Sequence, residues 1–121
     1  MVGRPASVDE LEQVPVFSSL DDGALVRLAA RMERRELAPG EAVLREGEEG
    51  DRFYVVLSGL LGVWEPGVGQ AAVLTPGEYV GELALVEHVP RTATVSALGE
   101  AVVASCDEPT FGELVAPLFW A

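Results

Sequence analysis

The sequence contains no lysine, and its positive charge comes from eight arginines set against twenty acidic residues. The formal net charge is −12 at pH 7, so the chain lacks the basic surface that nucleic-acid binding requires. We therefore expect no bound nucleic acid. An anionic ligand approaches such a chain against its overall field, so a phosphate site here has to be local and strongly cationic.

Cysteine and histidine are nearly absent, with one of each, Cys106 and His88. A single cysteine cannot form an internal disulfide, which predicts a reducing, cytoplasmic location. A metal-dependent jelly-roll enzyme needs several histidines with a carboxylate, and a Ser or Cys nucleophile needs a base beside it. We therefore expect no enzyme activity and no metal. Cys106 is predicted to lie in the core and His88 in an exposed loop.

Long hydrophobic runs are also missing. No apolar run approaches the length of a membrane span, and the first ten residues lack the apolar centre of a signal peptide. We expect no association with a membrane. The 121 residues, of which 49% are hydrophobic, suffice for one domain with its own core. In the absence of a repeat or a linker, residues 1–121 are predicted to form a single domain.

The first third of the chain has a helical pattern. A short helix is predicted from Val8 to Val14, where Pro15 ends it. A second helix is predicted from a Ser-x-x-Asp start at Ser19 to about Arg34. Its apolar face consists of Leu25, Leu28, Ala29 and Met32. The arginines mostly off that face are interpreted as solvated, with a partner-binding patch as the alternative: Arg27, Arg31, Arg34 and Arg35.

Short β-rich segments separated by Gly and Pro turns fill the middle of the chain, at 42–45, 52–57, 60–64, 71–74, 92–97 and 101–106. This pattern predicts an antiparallel sandwich or jelly roll. A last helix is predicted at Thr110 to Val115, with Pro109 in its first turn. The predicted fold is mainly β with flanking helices. It has a helical lead-in at about 8–36, a β-roll at about 37–107 and a C-terminal helix at about 109–116.

The stretch from Gly81 to Ala93, GELALVEHVPRTA, has the clearest chemistry. Gly81 permits a tight turn and the close approach of a ligand. The next residues fit one or two helical turns, whose first N–H groups lack partners and favour an anion. Arg91 offers a planar fork of donors suited to phosphate. Together with Glu82 these features predict a site for a phosphate with hydroxyls beside it. The alternative is a structural Glu82–Arg91 ion pair.

The same stretch resembles the phosphate-binding cassette of cyclic-nucleotide-binding domains. Such domains occur in the catabolite activator protein, cyclic-nucleotide-dependent kinases and cyclic-nucleotide-gated channels. EGEEGDRFYVV, from Glu46, is similar to a β-roll segment of that family, and the resemblance covers about Val14 to Leu114. It implies an antiparallel double-stranded β-helix. It also implies a non-catalytic regulatory module that binds cAMP or cGMP and signals by moving its terminal helices.

By this resemblance, Arg91 pairs with the cyclic phosphate and Glu82 accepts from the ribose 2′-hydroxyl. The hydroxyl of Thr92 contacts the phosphate or the 2-amino group of a syn guanine, which leaves the choice of base open. Backbone groups of Gly81, Leu83 and Ala84 are expected to contact ribose and phosphate, and Ala93 is a further expected site residue. Positions near the base-contacting strands, each equally consistent with ordinary core, are Val63, Ala71, Ala72 and Val80.

Two alternatives stay open at this point. The first is that the chain has the same fold but binds no nucleotide, and acts as a protein-interaction module. The sequence defines neither a protein partner nor a dimer. In the family a long helix follows the last short one and covers the base. Here only a short stretch follows, so we expect a stand-alone module or a piece of a longer protein. Phe119 or Trp120 is a candidate substitute lid, and packing of the terminus on the core is the alternative.

Overall fold

The computed structural model of the chain describes residues 4–87 and 90–119, without the side chains of Leu83 and Ala84. Its strands are β1 (Arg4–Pro5), β2 (Glu33–Leu37), β3 (Ala42–Leu44), β4 (Arg52–Ser58), β5 (Leu61–Glu65), β6 (Gly69–Leu74), β7 (Tyr79–Val80), β8 (Thr94–Ala97) and β9 (Ala101–Asp107). Its α-helices are α1 (Val8–Glu12), α2 (Asp22–Arg31), α3 (Glu82–Glu87), α4 (Glu108–Thr110) and α5 (Ala116–Phe119). A 3-10 turn spans Pro15–Phe17, and a π-helical turn, Phe111–Val115, joins α4 to α5.

The strands form two antiparallel sheets. One has the order β1-β2-β9-β4-β7, and the other has the order β3-β8-β5-β6. The predicted mainly β, antiparallel fold with a short C-terminal helix is therefore confirmed. No helix within residues 4–87 and 90–119 combines the length and the apolar character needed to cross a bilayer.

Strand β4 has a core on each of its two faces. Phe53 and Val55 belong to the cluster that packs against the helices, whereas Tyr54 and Val56 belong to the cluster between the two sheets. Successive strand residues point to opposite faces, so a strand covered on both sides is apolar throughout. This double burial explains why the run from Phe53 to Leu57 has no polar alternation.

An aromatic cluster joins the C-terminal helical segment, residues 108–119, to the sheet that contains β4 and β7. The ring of Phe53 lies 5.2 Å from that of Phe111 and 5.7 Å from that of Tyr79, measured between centroids. Phe119 packs on the same group, 5.2 Å from Tyr79 and 6.5 Å from Phe53. Phe119 therefore packs against the core. This position agrees with the alternative in which the terminus packs on the core and does not cover the ligand. Trp120, the other lid candidate, lies outside the described residues.

The second helix is shorter than predicted at both ends. Its N-cap is Asp21, whose carboxylate accepts from the Ala24 N–H at 2.7 Å, so the predicted start at Ser19 is wrong. The chain leaves the helix at Met32, which has extended dihedral angles of φ −96 and ψ 134. A capping box does occur one helix earlier, between Ser7 and Glu10.

Arg34 and Arg35 therefore lie on a strand and not on a helix face. They belong to β2, which pairs antiparallel with β9. Ladder hydrogen bonds to β9 outweigh the high helical propensity of a Glu-Arg-Arg segment, which is a common tertiary override. Arg34 donates to Glu10 at 2.9 Å, and Arg35 pairs with Glu41. Both side chains thus tie β2 to neighbouring segments.

The apolar face of α2 and the burial of Cys106 agree with the sequence. Leu25, Leu28 and Ala29 of the helix and Met32 at its C-cap are all buried. Cys106 lies on β9 with no exposed surface, and burial raises the pKa of its thiol to about 12. A thiol with so high a pKa is protonated at neutral pH, so it is a poor nucleophile.

Candidate functional site

A cavity of about 210 Å³ opens between the second sheet and the segment that follows β7. Its wall is mostly apolar, with charged side chains at three of the described lining positions: Glu65, Glu82 and Arg91. The other lining residues are Leu44, Val63, Val80, Gly81, Pro90, Thr92, Ala93 and Val95. The cavity thus combines an apolar surface with two carboxylates and one guanidinium.

Gly81 shapes the entrance to helix α3. Its φ of +104° lies in a region that side-chain-bearing residues rarely adopt. A Cβ at this position would lie 2.8 Å from the carbonyl oxygen of Arg52 and 3.2 Å from Nη1 of Arg91. Both the backbone conformation and the close packing therefore require glycine.

Arg91 is a buried cation held by backbone carbonyls. Only 7% of its surface is exposed. Its Nη1 donates to the Gly81 carbonyl at 2.9 Å, and its Nη2 donates to the Arg52 carbonyl at 2.8 Å. The guanidinium has five N–H donors, so these two contacts fix its plane and leave three donors for other partners. None of the ion pairs formed within the described part of the chain involves Arg91.

Burial is the main influence on the electrostatics of this group. It lowers the pKa of the Arg91 guanidinium, and the charges of Tyr54, Asp51 and Glu82 oppose that effect. An arginine remains protonated under such conditions because its ordinary pKa is above 12. A buried positive charge without a carboxylate partner favours an incoming anion.

Glu82, the first residue of α3, presents a second unsatisfied group. Its Oε2 is buried and has no hydrogen-bond partner among the described residues. Glu82 also forms no ion pair with Arg91 within those residues, so the structural ion pair considered from the sequence is not formed here. Leaving a buried acceptor unsatisfied costs about 1–3 kcal/mol. A ligand hydroxyl that donates to this oxygen recovers that energy.

The backbone of Arg91 is fixed by the loop between β3 and β4. The Arg91 N–H donates to the Glu48 carbonyl at 2.8 Å, and the Gly47 N–H donates to the Arg91 carbonyl at 2.8 Å. A β-bridge between Glu49 and Pro90 continues this pairing. The loop therefore holds the main chain of Arg91. Arg52, which follows the loop at the start of β4, holds the side chain through its carbonyl.

The structure brings most of the predicted site residues to one cavity. Gly81, Glu82, Arg91, Thr92, Ala93, Val63 and Val80 all line it. Ala71 and Ala72 are exposed on β6, and neither belongs to the lining. The backbone of Leu83 and Ala84 lies in α3, and their side chains are not among the described parts of the chain. His88 lies outside the described residues.

Sequence reasoning did not single out Glu65 or the carbonyl of Arg52. Glu65 follows Val63 by two positions on β5, so the period-2 rule for strands places both side chains on one face. That spacing was available in the sequence as a signal. The role of the Arg52 carbonyl was not, because any residue carries the same backbone oxygen.

Replacing Gly81 by alanine should lower the free energy of unfolding by about 1–3 kcal/mol, the usual range for a strained backbone site. The added Cβ meets the Arg52 carbonyl and the guanidinium, so the variant should also displace Arg91. Urea denaturation measures the first effect. Gly99→Ala is the matched control, because a Cβ there meets nothing within 4 Å. Equal stabilities for the two variants would contradict the assignment.

No cluster of three or more His, Cys, Asp or Glu side chains within residues 4–87 and 90–119 is arranged to hold a metal ion. The chemical character of the site comes instead from a fixed guanidinium, an unsatisfied carboxylate and an apolar wall. This combination suits a small anion that carries both a hydroxyl and a flat apolar group.

Comparison with known proteins adds independent findings. The family model of the cyclic nucleotide-binding domain matches residues 34–117. The cAMP-dependent protein kinase regulatory subunit of Candida albicans is 37% identical over 110 residues, which cover 91% of this chain and 24% of that protein. The chain thus spans about a quarter of the length of the curated relatives it matches.

Solved structures show the same similarity. The regulatory domain of Toxoplasma gondii PKA, crystallised with cAMP, aligns with a TM-score of 0.83 and 29% identity, covering 92% of this chain and 44% of that one. The regulatory subunit of a cAMP-independent protein kinase A from Trypanosoma cruzi, bound to guanosine, aligns with a TM-score of 0.84 and 26% identity. That alignment covers 92% of this chain and 41% of the other.

Proposed function

The chain belongs to the cyclic nucleotide-binding domain family, and from this premise we propose that it binds a 3′,5′-cyclic purine nucleotide in the cavity beside Arg91. The first candidate is cAMP, because the similar proteins are regulatory subunits of cAMP-dependent protein kinases. The alternative nucleotide is cGMP. No metal is part of the proposal.

The observation that carries the proposal is the pair of unmet hydrogen-bonding needs in one cavity. Arg91 has three N–H donors free of backbone contacts, and Glu82 has a buried acceptor oxygen without a partner among the described residues. A cyclic nucleotide has a phosphate oxygen for the donors and a ribose 2′-hydroxyl for the acceptor. Charge-assisted hydrogen bonds of this kind contribute about 1.5–3 kcal/mol each.

The remaining cavity wall suits the base. Leu44, Val63, Val80 and Val95 supply an apolar surface, and Thr92 and Ala93 continue it from Arg91. Thr92 is assigned to the phosphate or the base, and the backbone of Gly81, Leu83 and Ala84 to ribose and phosphate. Ala72 keeps only its position opposite Val63 on the neighbouring strand, so its contact with the base is the weakest of these assignments.

The proposed activity is regulatory and non-catalytic. Helix α3 begins at the ligand-binding residue Glu82, and its Leu85 is buried in the same cluster as Phe111 and Leu114 of the C-terminal helical segment. A ligand that fixes the position of α3 therefore alters the surface on which the C-terminal helical segment packs. Signalling follows if the ligand has different affinities for two positions of the segment. A kinase catalytic subunit is a proposed reader of this change, since the relatives are kinase regulatory subunits.

The extent and the location of the module are parts of the same proposal. Residues 1–121 act as one nucleotide-binding unit, with the N-terminal and C-terminal helical segments packed on a common core with β4. A cytoplasmic location fits a chain with one buried cysteine and a cytoplasmic second messenger as ligand.

Calorimetric titration of the protein with cAMP, cGMP, 5′-AMP and adenosine tests the proposal. We expect cAMP to bind with a Kd below about 100 μM, which corresponds to about 5.5 kcal/mol. Adenosine should bind at least about tenfold more weakly, because it lacks the phosphate that pairs with Arg91. Folded protein that binds none of these compounds at millimolar concentration would refute the proposal and favour the protein-interaction module.

A further inference from the structure

Arg91 lines two cavities, and carboxylates outnumber cations around both. In the proposed nucleotide cavity, the other charged side chains at the described lining positions are Glu65 and Glu82. The second cavity, of about 400 Å³, is formed largely by the loop between β3 and β4. Its charged lining residues besides Arg91 are Arg45, Glu48, Glu49 and Asp51. The described walls of the two cavities thus carry five carboxylates and two guanidinium groups.

Neighbouring cations do not neutralise these carboxylates. Four of the five belong to exposed residues, and none of the five forms an ion pair within the described part of the chain. Arg52 contributes only its carbonyl to Arg91. Its own guanidinium donates to Ser105 at 3.0 Å and pairs with Glu33. A phosphate in the nucleotide cavity therefore meets one guanidinium in surroundings that are otherwise negative.

The strand register places one of the carboxylates, Glu65, near the Arg91 end of the nucleotide cavity. Trp64 pairs with Thr94 on β8. The next position in this register sets Glu65 beside Ala93, two residues beyond Arg91. Salt screens exposed charges beyond about 10 Å at about 0.1 M ionic strength, and both Glu65 and Arg91 line one cavity of about 210 Å³. The charge of Glu65 therefore acts on a phosphate held at Arg91.

Phosphate esters differ in the charge that they bring to such a site. A phosphodiester, which includes a cyclic nucleotide, carries one negative charge. A phosphate monoester carries about −1.5 to −2 at pH 7, because its second pKa is about 6. The guanidinium of Arg91 balances the first charge. A second charge finds no further cation on the described wall of the nucleotide cavity, and the carboxylates repel it.

We propose that this cavity selects singly charged phosphodiesters over doubly charged phosphate monoesters, and that Glu65 contributes to the selection by repelling the second charge. This inference rests on the proposed nucleotide binding and names the charge class of its ligands. It adds a criterion to the fit of the cyclic ring. Hydrolysis of the ring gives a monoester, which the cavity disfavours even where the open-chain nucleotide fits the available space.

The test uses two open-chain nucleotides that differ mainly in charge, 5′-AMP and its monomethyl ester, which is a singly charged phosphodiester. Calorimetric competition with cAMP at about pH 7.5, above the second pKa of 5′-AMP, measures the affinity of each. The methyl ester should bind the wild type about tenfold more tightly than 5′-AMP, since several carboxylates oppose the second charge. Glu65→Gln should reduce this ratio about threefold, because one exposed carboxylate acts with the strength of a surface ion pair.

Glu12→Gln is the matched control, since it removes the same charge from an exposed position on α1 outside the cavity lining. It should leave the ratio of the two affinities unchanged. The same ratio in Glu65→Gln as in the wild type would overturn the role of Glu65. Wild-type protein that binds 5′-AMP as tightly as the methyl ester would overturn the selection by charge.

Two further outcomes are decisive. A methyl ester that fails to displace cAMP at millimolar concentration would show that the shape of the ring decides, and would also overturn the selection by charge. In each of these cases the binding of cAMP leaves the proposed function intact. Folded protein that binds no cAMP would instead overturn the proposed function, and the selection by charge with it.

Discussion

Replacing Arg91 by alanine should weaken cAMP binding at least about tenfold to a hundredfold, because the variant loses the proposed charge-assisted hydrogen bonds to the phosphate. The side chain is buried and oriented by the carbonyls of Gly81 and Arg52, so its guanidinium has a fixed position in the cavity wall. Calorimetric titration measures the affinity. The Arg91→Lys variant should have an affinity for cAMP between those of the wild type and Arg91→Ala, since lysine keeps the charge and lacks the planar guanidinium.

Two controls separate the site from general effects. Arg27→Ala removes an equal charge from the exposed face of α2 and should bind cAMP as the wild type does. Circular-dichroism melting checks the fold of Arg91→Ala, because its loss leaves two carbonyl oxygens without their side-chain donors. If a folded Arg91→Ala protein kept wild-type affinity, Arg91 would not be the phosphate-binding residue.

Replacing Phe53 by alanine should lower the free energy of unfolding by about 3–5 kcal/mol, the range for truncating a buried phenylalanine. Phe53 has no exposed surface, and its ring packs against those of Phe111 and Tyr79 at centroid distances of 5.2 and 5.7 Å. The variant thus loses apolar burial and leaves a cavity between β4 and the C-terminal helical segment. Urea denaturation followed by circular dichroism measures the change.

Val68→Ala is the corresponding surface control, because Val68 is 69% exposed in the turn between β5 and β6. It should change stability by no more than about 0.5 kcal/mol. Phe53→Leu should lower the free energy of unfolding by an amount between those of Val68→Ala and Phe53→Ala, since leucine retains part of the buried volume. A loss below about 1 kcal/mol for Phe53→Ala would contradict the central place of this ring in the core.

Phe53 also tests the proposed route from ligand to terminal helices. Leu85 of α3 shares the buried cluster with Phe53 and Phe111. The residues assigned to the nucleotide are not in that cluster, so folded Phe53→Leu protein should retain most of its affinity for cAMP. Its C-terminal helical segment should respond less to the ligand, which hydrogen exchange of that segment can measure.

Local patterns in the sequence determined much of this protein. The period of the apolar residues defined the buried face of α2, and the β-rich run at Phe53 defined a strand. The spacing of Gly81, Glu82 and Arg91 placed three chemically matched groups in one short stretch. These features depend on neighbours within a few residues, where helix and strand geometry fix the relative positions of side chains.

Other features were decided only by contacts between distant segments. Residues 33–37 became a strand because β9 supplies partners for their backbone groups, which outweighs local propensity. Arg91 is held by carbonyls at positions 52 and 81, and backbone oxygens carry no sequence signal. Glu65 lines the cavity from β5, whereas Ala72, which pairs with Val63, lies on the edge strand β6 and outside the lining. Register and burial are properties of paired segments, so only the folded chain could define them.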